Sequence, residues 1–323
     1  MKAKKLLAAI ALTLAATTLT ACGDKDQTIE FNTYWHAESN APTLIDETLE
    51  YDVTFDSTVD KSTVNYELDY KNGTYTTHLV SNSLYEYTYT TSFSITAIYT
   101  YKDTTVEKQD SVETKVTFST EKGFRPIRSE KSIVSHSPVN SNVSRVNQAY
   151  DAFYRHVETD YTGSKAVCKI WDTEPNKDGT PNEKLLSEET FKGKSGKYSY
   201  LDNEQLLLAL RCISKSDDSA KVKVYSPFVD STQKIKLSFS DSDDMDVTYF
   251  DVATNTEVKK AITYRTAKIK LSASNPGATQ KAWIAVNEKP NTNRNVMLKL
   301  ETPLAYNLGT LVYTLTSINR IEK

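Results

Sequence analysis

The sequence predicts a mainly β protein: one strongly curved antiparallel sheet, a half-barrel, with a single buried helix. Three observations carry this. Tyr85, Tyr87, Tyr89, Phe93, Ile95, Ala97, Tyr99 and Tyr101 share one parity, while Glu86, Thr88, Thr90, Ser92, Ser94, Thr96, Ile98 and Thr100 fill the other. The chain holds 20 tyrosines but only 9 glycines in 323 residues, and threonine is abundant, a balance that suits strands with one wet face. Finally, Leu206, Leu207, Leu208, Ala209 and Leu210 are apolar all round a helix, and such a helix is buried.

The elements follow in order. Tyr51, Val53 and Phe55 alternate with Asp52 and Thr54 as a first strand. Val64, Tyr66, Leu68 and Tyr70 keep the same period. Asn72-Gly73 then reads as a hairpin turn, with Tyr75, Thr77 and Leu79 running back. At about 3.3 Å per residue, residues 85–101 make a strand on the order of 55 Å long. Ordinary strands stop near ten residues, so this one must coil and bend with the twist of its sheet. A helix is excluded, because period two would scatter these rings all round it. After Lys102-Asp103 the partner strand returns with Val106, Val112, Val116 and Phe118.

Glu121-Lys122-Gly123 is the next turn, residues 129–134 a strand, and residues 135–144 a polar connection containing Pro138. Residues 150–161 match helical spacing as well as a strand. An internal echo places them with the strands: Glu67-Leu68-Asp69-Tyr70 and Glu158-Thr159-Asp160-Tyr161 each precede a turn and a strand. Residues 172–183 form a loop rich in Pro, Asn, Asp and Gly, and residues 185–200 a strand and turn. Asp202 or Asn203 caps a helix over residues 202–213. Strands follow at residues 222–225, 235–239, 247–250, 262–271, 282–286, 296–300 and 310–318. The β domain thus spans residues 45–323, in two halves at about 45–147 and 148–323.

The first residues carry an address. Lys2, Lys4 and Lys5 precede an apolar run at residues 6–19, and Leu19-Thr20-Ala21-Cys22 follows. A basic start, a short apolar stretch and a small residue before the cut mark an export signal. The cysteine after that small residue resembles the lipobox of bacterial lipoproteins. That resemblance implies removal of residues 1–21 and diacylation of Cys22. Two acyl chains hold a protein stably at a membrane where one does not. Residues 22–44 then form a polar tether interrupted by Phe31, Tyr34 and Trp35, which either pack on the domain or sit at the membrane interface. The expected location is the extracellular or periplasmic face of the cell membrane. No later segment has the roughly 20 apolar residues of a membrane span.

Charge excludes one class of partner. The chain carries a formal charge of −3, more negative once the lysine-bearing signal is removed. It has no basic block, so the footprint of nucleic-acid binding is missing. Beyond Cys22 there are two cysteines, Cys168 and Cys212. An even count in an exported chain permits a bridge, and two separately buried thiols are the alternative.

In the C-terminal half, Tyr200-Leu201-Asp202 followed by Leu206-Leu207-Leu208-Ala209-Leu210-Arg211 resembles a strand-to-helix signature ending in Leu-Arg. It belongs to an envelope family related to the lipoprotein-carrier half-barrels (LolA/LolB-like). Ala282-Trp283-Ile284 before the turn Asn287-Glu288-Lys289-Pro290 looks like that family's ending, and Phe124-Arg125-Pro126-Ile127 like its earlier Pro-containing strand. The resemblance implies an apolar concave face and an amphiphile or lipid-linked ligand.

Candidate chemistry is sparse. Asp172, Glu174, Asn176, Asp178 and Glu183 fit a calcium-loop frame, but Lys177 occupies the glycine position and two prolines stiffen the segment, which favours a solvated hairpin loop. Residues 241–246 are a second acidic turn. No metal-type spacing links His36, His78, His136 and His156; His78 and His156 lie in strands that can meet across a sheet. No Gly-x-Ser-x-Gly turn is present, although Ser-His-Asp sites assemble from distant residues. No cofactor is implied. The expectation is therefore a non-enzymatic, membrane-tethered binding lipoprotein. Tyr85, Tyr87, Tyr89, Phe93, Leu206 and Leu210 would line a cleft for an apolar or amphiphilic ligand, a lipid or lipidated partner, with the leucine helix as its lid; the other reading of the tyrosine ladder is plain buried core. The alternatives are a structural or interaction protein that docks through its outer Thr/Ser face or a sheet edge, and an envelope hydrolase.

Overall fold

The computed structural model describes residues 44–57, 64–121, 124–163, 165–192, 200–212, 219–226, 231–270, 279–286, 295–304, 306 and 308–322. Cys22, the signal segment and the tether up to residue 43 lie outside them.

The N-terminal half is a meander of long strands: β1 (Ile45–Asp56), β2 (Glu67–Ser81), β3 (Glu86–Tyr101), β4 (Thr104–Ser119), β5 (Arg125–Pro138), β6 (Tyr150–Thr162), β7 (Lys165–Asp172) and β8 (Lys184–Lys192). The C-terminal half supplies the short β9 (Tyr200–Asp202), the helix α1 (Leu206–Leu210), and β10 (Ser219–Ser226), β11 (Ser231–Phe239), β12 (Asp243–Asp251), β13 (Thr256–Lys270), β14 (Thr279–Ala285), β15 (Met297–Pro303) and β16 (Thr310–Glu322). β1 pairs with β16 along its whole length, so the two halves join as one sixteen-stranded sheet running from β8 to β9. The protein is mainly β, and the sheet curls into a partial barrel around one short helix.

The alternation of β3 sorts its side chains onto two faces. Tyr87, Tyr89, Thr91, Phe93, Ile95, Ala97 and Tyr99 are all buried inward, and the intervening residues face out. Tyr51, Tyr75, Phe93 and Tyr313 meet inside with ring centroids 5.5–6.0 Å apart, the spacing at which tilted and edge-on ring pairs attract. Residues 201–212 are buried without interruption, and α1 belongs to the same cluster as these rings. The barrel interior is filled by its own leucines.

The helical segment is shorter than its apolar pattern. Residues 203–205 form a 3-10 turn, and only Leu206–Leu210 are α-helical. Asp202 is the cap, in a capping box with Gln205. Two buried ion pairs hold the segment at both ends. Lys131 Nζ on β5 lies 2.6 Å from Glu204 Oε1. Arg211 donates from both terminal nitrogens to Glu47 on β1, at 2.6 and 3.1 Å, and Arg320 on β16 reaches the same carboxylate.

The ends of the sheet meet through side chains. Tyr161 on β6, Phe191 on β8, Tyr200 on β9 and Tyr225 on β10 pack around Val157, Ala166 and Cys168, and the Tyr161 hydroxyl donates to Asp202. Cys168 and Cys212 are two thiols buried apart, the first in this seam and the second after α1.

Asn72-Gly73 is not a hairpin turn. β2 runs straight through it, with a bulge between Lys71 and Thr74. Asn72 takes the left-handed conformation (φ 54°) that such a bulge uses. A Cβ on Gly73 would sit 2.2 Å from the Val53 carbonyl oxygen, so the glycine serves close approach of β1 rather than chain reversal. With the turn gone, the echo between residues 67–70 and 158–161 loses its structural meaning. Of the two, only the second precedes a turn, at Gly163 (φ 58°). Residues 150–161 are strand, as the sequence argued.

Candidate functional site

The residues expected to line a cleft are core. Tyr87, Tyr89, Phe93, Leu206 and Leu210 are each 2–4 % exposed and belong to one cluster. At that exposure they border no space open to solvent. Tyr85 stands apart: it precedes β3 and is 43 % exposed.

Among the described residues, one open groove lies on the other face. A groove of about 390 Å3 crosses β2 to β6, within the range of small-molecule sites (about 300–1,000 Å3). Strand register builds its lining. One row across the sheet is Thr76, Ser92, Glu113, Ser132 and His156; the next is His78, Thr90, Lys115 and Glu130. All of these point outward. Thr91, Thr114 and Lys131, which lie between them, point inward and border the groove through their backbone.

His78 and His156 thus border one groove from strands β2 and β6. His78 Nε2 lies 2.8 Å from Asp46 Oδ1. His156 Nδ1 lies 3.1 Å from Ser132 Oγ, and its Nε2 3.5 Å from Glu158 Oε1. Arg128 at the groove's end is engaged by Glu130 at 3.0 Å, Glu158 at 3.6 Å and Asp160 at 4.0 Å. Glu113 and Lys115 are exposed, and neither enters a salt bridge among the described residues. Beyond His156, Trp171 sits directly opposite on β7, with ring centroids 5.4 Å apart.

Ser132, His156 and Glu158 do not form an acyl-transfer triad. The carboxylate contact, at 3.5 Å, is longer than a good hydrogen bond. Ser132 sits in mid-strand, paired on both sides with β4 and β6. Its neighbouring N–H groups are committed to the ladder, so none is left to stabilise an oxyanion.

A second polar cluster joins β4, β5 and β6. At His136 the β5 backbone leaves β4, and its N–H donates to the Asp110 carboxylate instead, at 2.8 Å. His136 Nδ1 is 2.8 Å from the same oxygen, and Nε2 is 3.1 Å from the Tyr154 hydroxyl. Asp110 is 1 % exposed and its second oxygen has no hydrogen-bond partner. Burial raises its pKa, an effect partly opposed by the hydrogen bonds and charge of His136.

His78 and His156 do not meet, because β3, β4 and β5 lie between their strands, and sequence reasoning missed Glu113, Lys115, Glu130 and Ser132. These are ordinary polar residues on a wet face, and only the register of β4 against β5 brings them together. Among the described residues no three His, Cys, Asp or Glu side chains gather as a metal-binding group, and no helix is long and apolar enough to cross a membrane. Comparison with protein-family models, with curated proteins and with solved structures found no match for this chain.

Proposed function

We propose that this chain is a lipid-anchored, non-enzymatic recognition protein of the cell envelope, binding a polar partner in the outer groove of strands β2 to β6. The observation that carries the reading is the contrast between the two faces. The interior is filled by tyrosines and the α1 leucines, whereas the hydroxyl-rich outer face holds a ligand-sized groove. A ligand held inside would have to displace α1 and break the Lys131–Glu204 and Arg211–Glu47 pairs. The signal pattern ending at Cys22 supports the address, and acylation there would leave the domain free to present the groove.

Two experiments test this. Cells fed a radiolabelled fatty acid should label the wild-type chain, and Cys22→Ala should abolish that label; equal labelling of both would remove the anchor. Native mass spectrometry of the full chain after lipid extraction should show no retained amphiphile. A stoichiometric bound lipid would return the ligand to the interior and overturn the outer-groove reading.

A further inference from the structure

We infer that the groove's ligand is a neutral oligosaccharide, seated with one sugar ring against Trp171; this rests on the outer groove being the binding surface. Trp171 belongs to neither buried cluster. It is a half-buried tryptophan on the outer face, in register with His156 on one side and Leu185, 48 % exposed, on the other. Trp171 and Leu185 form an apolar ledge beside the polar floor, next to His156 at the floor's edge. A pyranose has the matching construction: its C–H face suits the electron-rich face of an indole, and its rim carries hydroxyls.

The floor fits hydroxyls better than charges. Thr76, Thr90, Ser92 and Ser132 each donate and accept, as every sugar hydroxyl does. Glu113 accepts and Lys115 donates, and they offset one another in charge. Arg128, beside Glu130 at the groove's end, faces three carboxylates at 3.0, 3.6 and 4.0 Å, so an anionic ligand reaching for its fork would meet their charge. Because the backbone beneath is committed to the sheet ladder, side chains alone read the ligand. That excludes recognition by strand addition at this site and disfavours an extended peptide.

The test is titration calorimetry of the full chain in detergent with chitohexaose, cellohexaose, maltohexaose and mannohexaose, alongside a mixed-sequence decapeptide. At least one sugar should bind saturably. Trp171→Ala should weaken it at least tenfold with an unchanged unfolding midpoint, and Ser92→Trp, which fills the floor, should abolish it. Saturable binding of the peptide alone, lost in Ser92→Trp, would overturn the sugar assignment and leave the groove as the recognition surface. Sugar binding indifferent to both substitutions would overturn the assignment and the groove together. Absence of saturable binding by all four sugars would also overturn the sugar assignment.

Discussion

Glu47 and Asp110 are carboxylates on the inner face of the same sheet, both 1 % exposed, and their proton affinities move in opposite directions. Burial pushes both upward. At Glu47, in the seam between β1, β16 and the end of α1, the guanidiniums of Arg211 and Arg320 outweigh burial and hold the pKa at about 2. At Asp110, where β5 bends away from β4, His136 opposes burial only in part, and the pKa stays raised. Depth is equal at the two sites, so the contrast comes from their cationic partners: two guanidiniums at Glu47 and one imidazole at Asp110. Glu47 is a clamp for the segment that fills the barrel. Asp110 replaces a missing ladder bond, and its partner His136 reaches Tyr154 on the face that carries the groove.

The largest test of that contrast is Glu47→Gln. It strands Arg211, itself buried, without its counter-charge, and breaking a buried pair from one side costs about 3–5 kcal/mol. Urea unfolding at pH 7 should show a loss of that size. The pH dependence has a definite sign. Glu47 has a folded pKa of about 2 against an ordinary value of 4.5, so the unfolded chain takes up the proton first as pH falls. The contribution, about 3 kcal/mol, is complete above pH ~4.5 and lost as pH drops towards ~2. Glu47→Gln should flatten this window. An unaltered acid profile in the variant would show that the seam's charges are not what holds α1.

Lys131→Met probes the other end of the same segment. Alone it leaves Glu204 buried without its cation and should cost about 3 kcal/mol or more by urea unfolding. The double variant Lys131→Met/Glu204→Leu should recover most of that loss, because two apolar groups need no counter-charge. A double variant as unstable as the single one would mean that the pair adds net stability rather than merely avoiding a stranded charge.

Much of this arrangement was legible in the sequence, and the limit has a physical cause. Alternation fixed which residues of β3 point inward, because side-chain direction is a local property with period two. The all-round apolarity of residues 206–210 announced a buried segment for the same reason. Length was misjudged: the apolar pattern extends to Ile213, but the α-helical turns end at Leu210. Arg211, just past the apolar segment, pairs with Glu47 from 164 residues away. That pairing, the Lys131–Glu204 pair and the groove all depend on register between distant strands. Asn72-Gly73 shows the same limit at short range. A local turn signal was overridden by the pairing of β1 and β3 on either side of it.

The smallest expected effect is the most discriminating. In Asp110→Asn the side-chain oxygen still accepts from the His136 N–H and Nδ1, and an amide replaces the carboxylate oxygen that has no partner. The variant removes the cost that a raised pKa places on the folded wild type, so at pH 7 it should equal or exceed the wild type in stability, by up to about 1 kcal/mol. The sign reverses that of Glu47. A raised folded pKa means that the folded chain holds the proton as pH falls while the unfolded chain is still ionised. The burden of the wild-type charge is therefore present at high pH and relieved below the folded pKa. Wild type and Asp110→Asn should converge in stability towards pH 3.8 and diverge above it with the wild type the less stable, whereas against Glu47→Gln the wild type is the more stable above its own acid window. If Asp110→Asn instead loses 2 kcal/mol or more at pH 7, His136 is acting as a full counter-charge and the two carboxylates are clamps of one kind.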